Sequence, residues 1–215
     1  MRAHDISHVR GLSLVEVLIV MVVIAILSLL AVPALTSMQS SYALDSTGQA
    51  IVAQLGVGRQ SALALSRPVE VRFYQIADFN SSTKVYRAMQ LFEVGATATT
   101  PLNKPYFFPA PVRVLQATSG TTNISSLLTT AYSGISVSTI SDPNNPLPPP
   151  YGSSYTYEYF HFRANGMTDL SITTSITSLL TVGSENAQPK ANNLPANYVT
   201  LSFNALSGSM ETYRP

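Results

Sequence analysis

Between Glu16 and Asp45 the chain carries no charged residue, and positions 17–35 read VLIVMVVIAILSLLAVPAL, interrupted only by Ser28 and Pro33. About 20 apolar residues in a helix rise ~30 Å, the thickness of the hydrocarbon layer, so this run is long enough to span a bilayer. The first eleven residues, MRAHDISHVRG, contain Arg2 and Arg10. The positive-inside tendency keeps such a segment cytoplasmic and sends the remainder of the chain across the membrane.

Composition agrees with an exported body. Only 11% of the 215 residues are charged while 46% are hydrophobic, against roughly 25% charged residues in an ordinary globular chain. Ser, Thr, Asn, Gly and Pro stand where a cytoplasmic protein would place charges. A net charge of +1 supplies no basic excess for nucleic acid or an acidic surface. The chain has no Cys, which removes disulfides, thiol catalysis and Cys-based metal sites. Of the three His, His4 and His8 lie in the first ten residues, leaving His161 alone in the body.

A secretory signal peptide cut near Val32-Pro33-Ala34 competes with the anchor reading. Glu16 argues against it. A carboxylate within an apolar run costs roughly 2.5–3.5 kcal/mol near a helix centre, and less towards the interface, so such a group is usually kept for a function. A plain signal sequence has no use for it, nor has a plain anchor.

Gly11-Leu12-Ser13-Leu14-Val15-Glu16, followed by the apolar run, resembles the class III leader of type IV pilins and type II secretion pseudopilins. In that family a prepilin peptidase of the inner membrane cuts after the Gly and methylates the new N-terminus. Carried over residue by residue, the resemblance implies cleavage between Gly11 and Leu12, N-methylation of Leu12, Glu16 as the assembly carboxylate, and Pro33 at the site of a helix kink. Two departures are Leu12, where the family more often has Phe or Met, and Ala25 in place of a common Gly. The Glu also has a physical reason. In a lipid-like filament core each α-amino cation needs a partner, and Glu16 of a neighbouring subunit can supply one where an unpaired charge is costly.

The helix is expected to continue past the membrane. Leu44, Gly48, Ile51, Leu55, Gly58, Ala62 and Leu65 recur at spacings of three and four, which is a helical stripe. Mixing Leu with Gly and Ala leaves a groove for close packing by a sheet, although Gly48, Gly56 and Gly58 each lower helix propensity by up to ~1 kcal/mol relative to Ala. Pro68 biases Arg67 away from the α region and ends the segment. Residues 12–66 therefore read as one helix of roughly 80 Å. A coiled coil is the competing reading, but the flanking charges are missing.

The remainder reads as strands. Val69-Glu70-Val71-Arg72-Phe73-Tyr74 alternates apolar and polar, and residues 86–94 supply a hairpin partner after a polar turn at 78–83. Further strands are expected at 112–115, 135–140, 155–162, 198–203 and 210–213, with a short helix at 124–132. Five prolines between Asp142 and Tyr151 exclude a central strand or helix and imply a surface loop, as at 184–197.

The order of long helix, VEVRFY hairpin, Phe162-Arg163-Ala164-Asn165-Gly166 turn and closing YVTLSFNALSGSMETYRP hairpin is similar to the minor pilin and pseudopilin group called FimT or GspH. The segments RQSALALSRPVEVRFYQ, YRAMQLFEV, PLNKPYFFPAPVRV, FRANGMTDL and the C-terminal YRP look most like the family named Verru_Chthon cassette protein D.

Other candidate sites read as structural. His161, between Phe160 and Phe162, reads as a half-buried sheet residue. Asp142 with Asn144 and Asn145 offers oxygen ligands for calcium, but a single carboxylate favours a turn. Asp78-Phe79-Asn80 reads as a turn, and Arg163-Ala164-Asn165-Gly166 as a hairpin turn in which Gly supplies φ > 0. A tyrosine-rich strand at 155–159 offers a stacking surface but lacks the basic neighbours that nucleic acid requires. No Ser/His/Asp set, paired carboxylates or phosphate loop has usable spacing.

The sequence thus predicts an α+β protein: leader 1–11, transmembrane and assembly helix 12–35, amphipathic continuation 36–67, and a β-rich domain 68–215 packed as an antiparallel sheet on the helix. The expected role is that of a non-enzymatic minor pilin or pseudopilin without cofactor or metal. The partners implied are the prepilin peptidase, other pilin or pseudopilin subunits and the inner-membrane assembly platform. The expected placement is single-pass in the inner membrane, with the N-terminus cytoplasmic and the body periplasmic or extracellular. A membrane-anchored module that recognises a ligand or DNA through its β domain is the alternative.

Overall fold

The computed structural model describes residues 13–79, 81–116, 125–128, 136–138, 142–171, 177–184 and 197–214; the side chains at 30–36, 81, 136–138 and 178 lie outside that description. A single helix, α1, runs Leu14–Leu65, close to the expected 12–66. It passes through position 33 without interruption. It stops at Ser66, which adopts a left-handed φ of 50° directly before the Arg67-Pro68 pair. The chain divides into two compact units between Gln39 and Ser40, so α1 contributes to both.

In the second unit the expected stripe is the buried face of α1. Leu44, Ile51, Leu55 and Ala62 are at most 1% exposed, and Gly48 and Gly58 are buried with them. Leu65 departs from the stripe at 42% exposure, although Ala62 in the same last turn is fully buried. The glycines have distinct roles. A Cβ on Gly48 would lie 3.0 Å from Val199 Cγ1, and one on Gly58 would lie 3.1 Å from a Leu91 methyl, whereas one on Gly56 would meet nothing within 4 Å. Two of the three allow a strand to approach the helix backbone.

Ten strands follow among the described residues: β1 Val69–Asp78, β2 Ser81–Val94, β3 Thr99–Pro101, β4 Tyr106–Phe107, β5 Val112–Val114, β6 Ser136–Ser138, β7 Thr156–Phe162, β8 Thr177–Ser184, β9 Tyr198–Asn204 and β10 Met210–Tyr213. They form two antiparallel sheets where one was expected. The first is ordered β3-β2-β1-β7-β6 with β4 also on β2, and the second β10-β9-β8-β5. The division rests on β8, a strand absent from those expected. Its adjacent Leu179 and Leu180 break the alternation of apolar and polar residues, and Ser and Thr flank them. A 3₁₀ turn at Ser126–Leu128 stands within the expected helix 124–132; residues 124 and 129–132, the flanks of β6, and 185–196 lie outside the described residues.

Both sheets press on α1. Val71, Phe73, Leu91, Phe160 and Phe162 of the first sheet and Leu180, Val199, Leu201 and Phe203 of the second share one core with the helical stripe. Period-two alternation assigns these residues to the inner faces. A second cluster, Tyr74, Ile76, Ala88 and Phe92 with Leu147 and Tyr155, occupies the opposite face of the first sheet. The expected surface loop at 142–151 is exposed at 143, 144, 146 and 148–150, with one residue turned inward. Leu147 is only 3% exposed, and the loop covers the sheet, because that outer face offers it an aromatic bed. Two hairpin turns match expectation: Gly166 adopts φ 76° and donates to Arg163 O at 2.8 Å, and Gly208 adopts φ 68° and donates to Asn204 O at 2.8 Å.

Candidate functional site

The N-terminal part of α1 begins at Ser13, whose carbonyl accepts hydrogen bonds from the backbone N–H of Glu16 at 3.0 Å and Val17 at 3.1 Å. Ser13 is therefore the N-cap residue and Glu16 the third residue of the helix, an exposed carboxylate in the first turn. There it lies at the positive end of the helix dipole, a favourable position for an anion. Around it every large apolar side chain from 14 to 29 is exposed, from 44% at Val17 to 81% at Leu14. None of them enters either core, the first buried member of which is Leu44.

A helix apolar on all sides must be covered by lipid or protein. Burying one such side chain contributes about 1.5–3 kcal/mol, so the segment as a whole outweighs the ~5–15 kcal/mol net stability of a typical domain. Its covering therefore decides where the molecule resides. Among the described residues no stretch of helix is both long and apolar enough to cross a membrane. The described side chains stop at 29, and those of 30–36, Pro33 included, are outside them. Gly11 and Leu12 likewise precede the first described residue.

A second cluster, which alternation alone does not reveal, lies on the outer face of the first sheet. Glu70 and Arg72 alternate with apolar neighbours along β1, yet they are 6% and 2% exposed. Arg72 Nε donates to Glu70 Oε1, Nη1 to Asp142 Oδ2 at 2.9 Å and Nη2 to Thr99 Oγ1 at 3.3 Å. Its guanidinium is held between the rings of Phe92 at 3.8 Å and Tyr157 at 4.6 Å. Register explains the meeting: β1 pairs with β7 so that Glu70 lies opposite His161 and Arg72 opposite Tyr159.

His161 extends the network. Its Nε2 lies 3.2 Å from Glu70 Oε2 and its Nδ1 2.7 Å from Asp169 Oδ2, while Asp169 Oδ1 accepts the His161 backbone N–H at 2.7 Å. Burial alone would lower the imidazole pKa, but the two carboxylates outweigh it and hold the pKa at about 9. His161 is therefore a charged link. Burial would raise the Glu70 pKa, yet His161 and Arg72 hold it below the usual carboxylate range.

Asp142 makes the turn that the sequence suggested. Its Oδ1 accepts Asn144 N–H at 3.0 Å and its Oδ2 accepts Asn145 Nδ2 at 2.9 Å in addition to Arg72. These donors occupy the oxygens that a cation would need, and among the described residues no group of three or more His, Asp or Glu is placed to hold a metal ion. A cleft of about 620 Å³ opens above the cluster, lined by Glu70, Arg72, Asp142, Asn144, Tyr157 and Tyr159 among others. Its charged groups are paired with one another, so the arrangement clamps loop to sheet.

Comparison with known proteins bears on the first of these two regions. Residues 6–32 match the family described as the prokaryotic N-terminal methylation motif, a span that takes in Gly11, Leu12, Glu16 and the exposed apolar helix. No curated protein and no solved structure matches the chain. The motif supports a type IV pilin-like protein, and it implies processing by a prepilin peptidase and assembly with other pilin-like subunits.

Proposed function

We propose that the chain is a minor, non-enzymatic subunit of a type IV pilus-like or type II secretion filament, of the FimT or GspH kind and most similar to Verru_Chthon cassette protein D. Prepilin peptidase cuts between Gly11 and Leu12 and Leu12 is N-methylated. The apolar half of the helix then sits in the inner membrane with the N-terminus cytoplasmic. From there the assembly platform draws it into a filament, where Glu16 pairs with the α-amino group of a neighbour. The β-rich unit faces the periplasm or exterior.

The observation that carries this reading is the conjunction, in one segment, of the methylation motif with a helix whose large apolar side chains are exposed on every side. Lipid before assembly and neighbouring helices after it supply the cover that the fold itself does not. Co-expression with a prepilin peptidase, followed by intact-mass and N-terminal analysis, tests it. A mature chain beginning at methylated Leu12 is expected. A chain that keeps Met1, or that begins after Ala34, overturns the reading.

A further inference from the structure

Among the described residues only two aromatic side chains are more than half exposed, Tyr42 at 78% and Tyr213 at 62%. They belong to opposite ends of the sequence, yet the fold brings their neighbourhoods together. Arg214 pairs through Nη1 with Asp45, which lies one helical turn from Tyr42 on α1. Arg214 Nη2 also donates to Asn197 Oδ1 at 3.2 Å, and Asn197 Nδ2 donates to Ser41 Oγ at 2.8 Å. The chain end is thus clasped to the start of the helical stripe.

We propose that this end of the β-rich unit is a foot that rests in the lipid headgroup layer, with Tyr42 and Tyr213 as its contacts; the inference depends on the membrane insertion proposed above. Its position in the chain identifies the partner. Tyr42 follows Leu35, the last residue of the apolar run, by seven positions. The segment directly flanking a membrane helix is where tyrosine is enriched, its ring apolar and its hydroxyl wet. Arg214 and Asp45 neutralise each other, and Glu211, two positions before Tyr213 on β10, is exposed beside it. Among the other described tyrosines, Tyr74, Tyr86 and Tyr155 are at most 2% exposed, and Tyr106, Tyr151, Tyr157, Tyr159 and Tyr198 are partly buried.

The chain contains no Trp, so single substitutions create unique reporters. The full chain carrying Leu18→Trp, Tyr42→Trp, Tyr213→Trp or Leu65→Trp is reconstituted in phosphatidylcholine nanodiscs, with and without bromine near the upper end of the acyl chains. Leu65, 42% exposed, is the distal control, about 35 Å of helix beyond Tyr42. Bromine is expected to remove about half or more of the emission at positions 18, 42 and 213, where interfacial residues lie within reach, and to leave position 65 unchanged. Quenching at 18 but not at both 42 and 213 overturns the foot while leaving insertion intact. Equal quenching at 65 overturns it as well, since the contact would not belong to this end. No quenching at 18 overturns the insertion reading, and the foot with it.

Discussion

Arg72 and Asp142 stand 70 positions apart in sequence and meet at 2.9 Å, the guanidinium donating from Nη1 to Oδ2. This contact joins the central strand of one sheet to the proline-rich loop that covers it. Removing either partner is not equivalent. Arg72→Met leaves Glu70 buried without its nearest cation, a loss of about 3–5 kcal/mol for a broken buried pair. Asp142→Asn leaves Arg72 still bonded to Glu70 and Thr99, and the cost is that of a weakened acceptor, about 1–3 kcal/mol. Chemical denaturation in detergent measures both, and equal losses would contradict the arrangement. Limited proteolysis at 142–151 should be accelerated in Asp142→Asn.

His161 makes that network sensitive to alkali. Its folded pKa of about 9 lies above the unfolded value near 6.5. The folded state therefore holds the proton more tightly, and the stabilisation is fully present below pH ~6.5 and lost as pH rises through about 9, with a slope of up to ~1.4 kcal/mol per pH unit. His161→Gln should flatten the pH dependence of unfolding over this window. A wild type and variant with parallel profiles between pH ~6.5 and ~9.5 would exclude the charged link.

Gly48 and Gly56 provide an internal comparison on one helix. Gly→Ala gains up to ~1 kcal/mol of helix propensity at either site. At Gly48 the new methyl meets Val199, itself 2% exposed on β9, and overpacking costs about 1–3 kcal/mol. Gly56→Ala meets nothing. Thermal unfolding should show Gly56→Ala more stable than the parent and Gly48→Ala less stable. The reverse order would show that β9 does not approach the helix as closely as described.

Glu16→Ala tests the assembly carboxylate. On the function proposed above, leader cleavage and membrane insertion should be retained, because the substitution alters neither the proposed cut after Gly11 nor the apolar run, while co-purification with other pilin-like subunits should fall sharply. Incorporation at the parental level would remove Glu16 from the assembly mechanism.

Hydrophobic periodicity suffices to read the helix and most strands from the amino-acid order. Leu44 through Ala62 repeat at three and four, and β1, β7 and β9 alternate at two. What the sequence hides is long-range. Glu70 and Arg72 alternate with Val69, Val71 and Phe73 as solvent-facing residues would, and only a loop arriving from position 142 turns that face into an interior. Leu179 and Leu180, side by side in β8, satisfy neither period, so the strand that joins β5 to β9 in the second sheet leaves no local signature. In the first region the N-terminal methylation motif is legible because a motif with fixed spacing is local. The His161 network is not, since its members come from β1, β7, the loop at 142 and the turn at 169.

Among the described residues, neither core draws on any side chain before Ala43. Substitutions along 14–29 are consequently invisible to the folding of the β-rich unit, and substitutions in its cores leave the exposed apolar helix untouched. On the function proposed above, folding and assembly answer to separate sets of residues, and a mutational scan read out by unfolding in one arm and by complex formation in the other should divide the chain into two nearly disjoint maps.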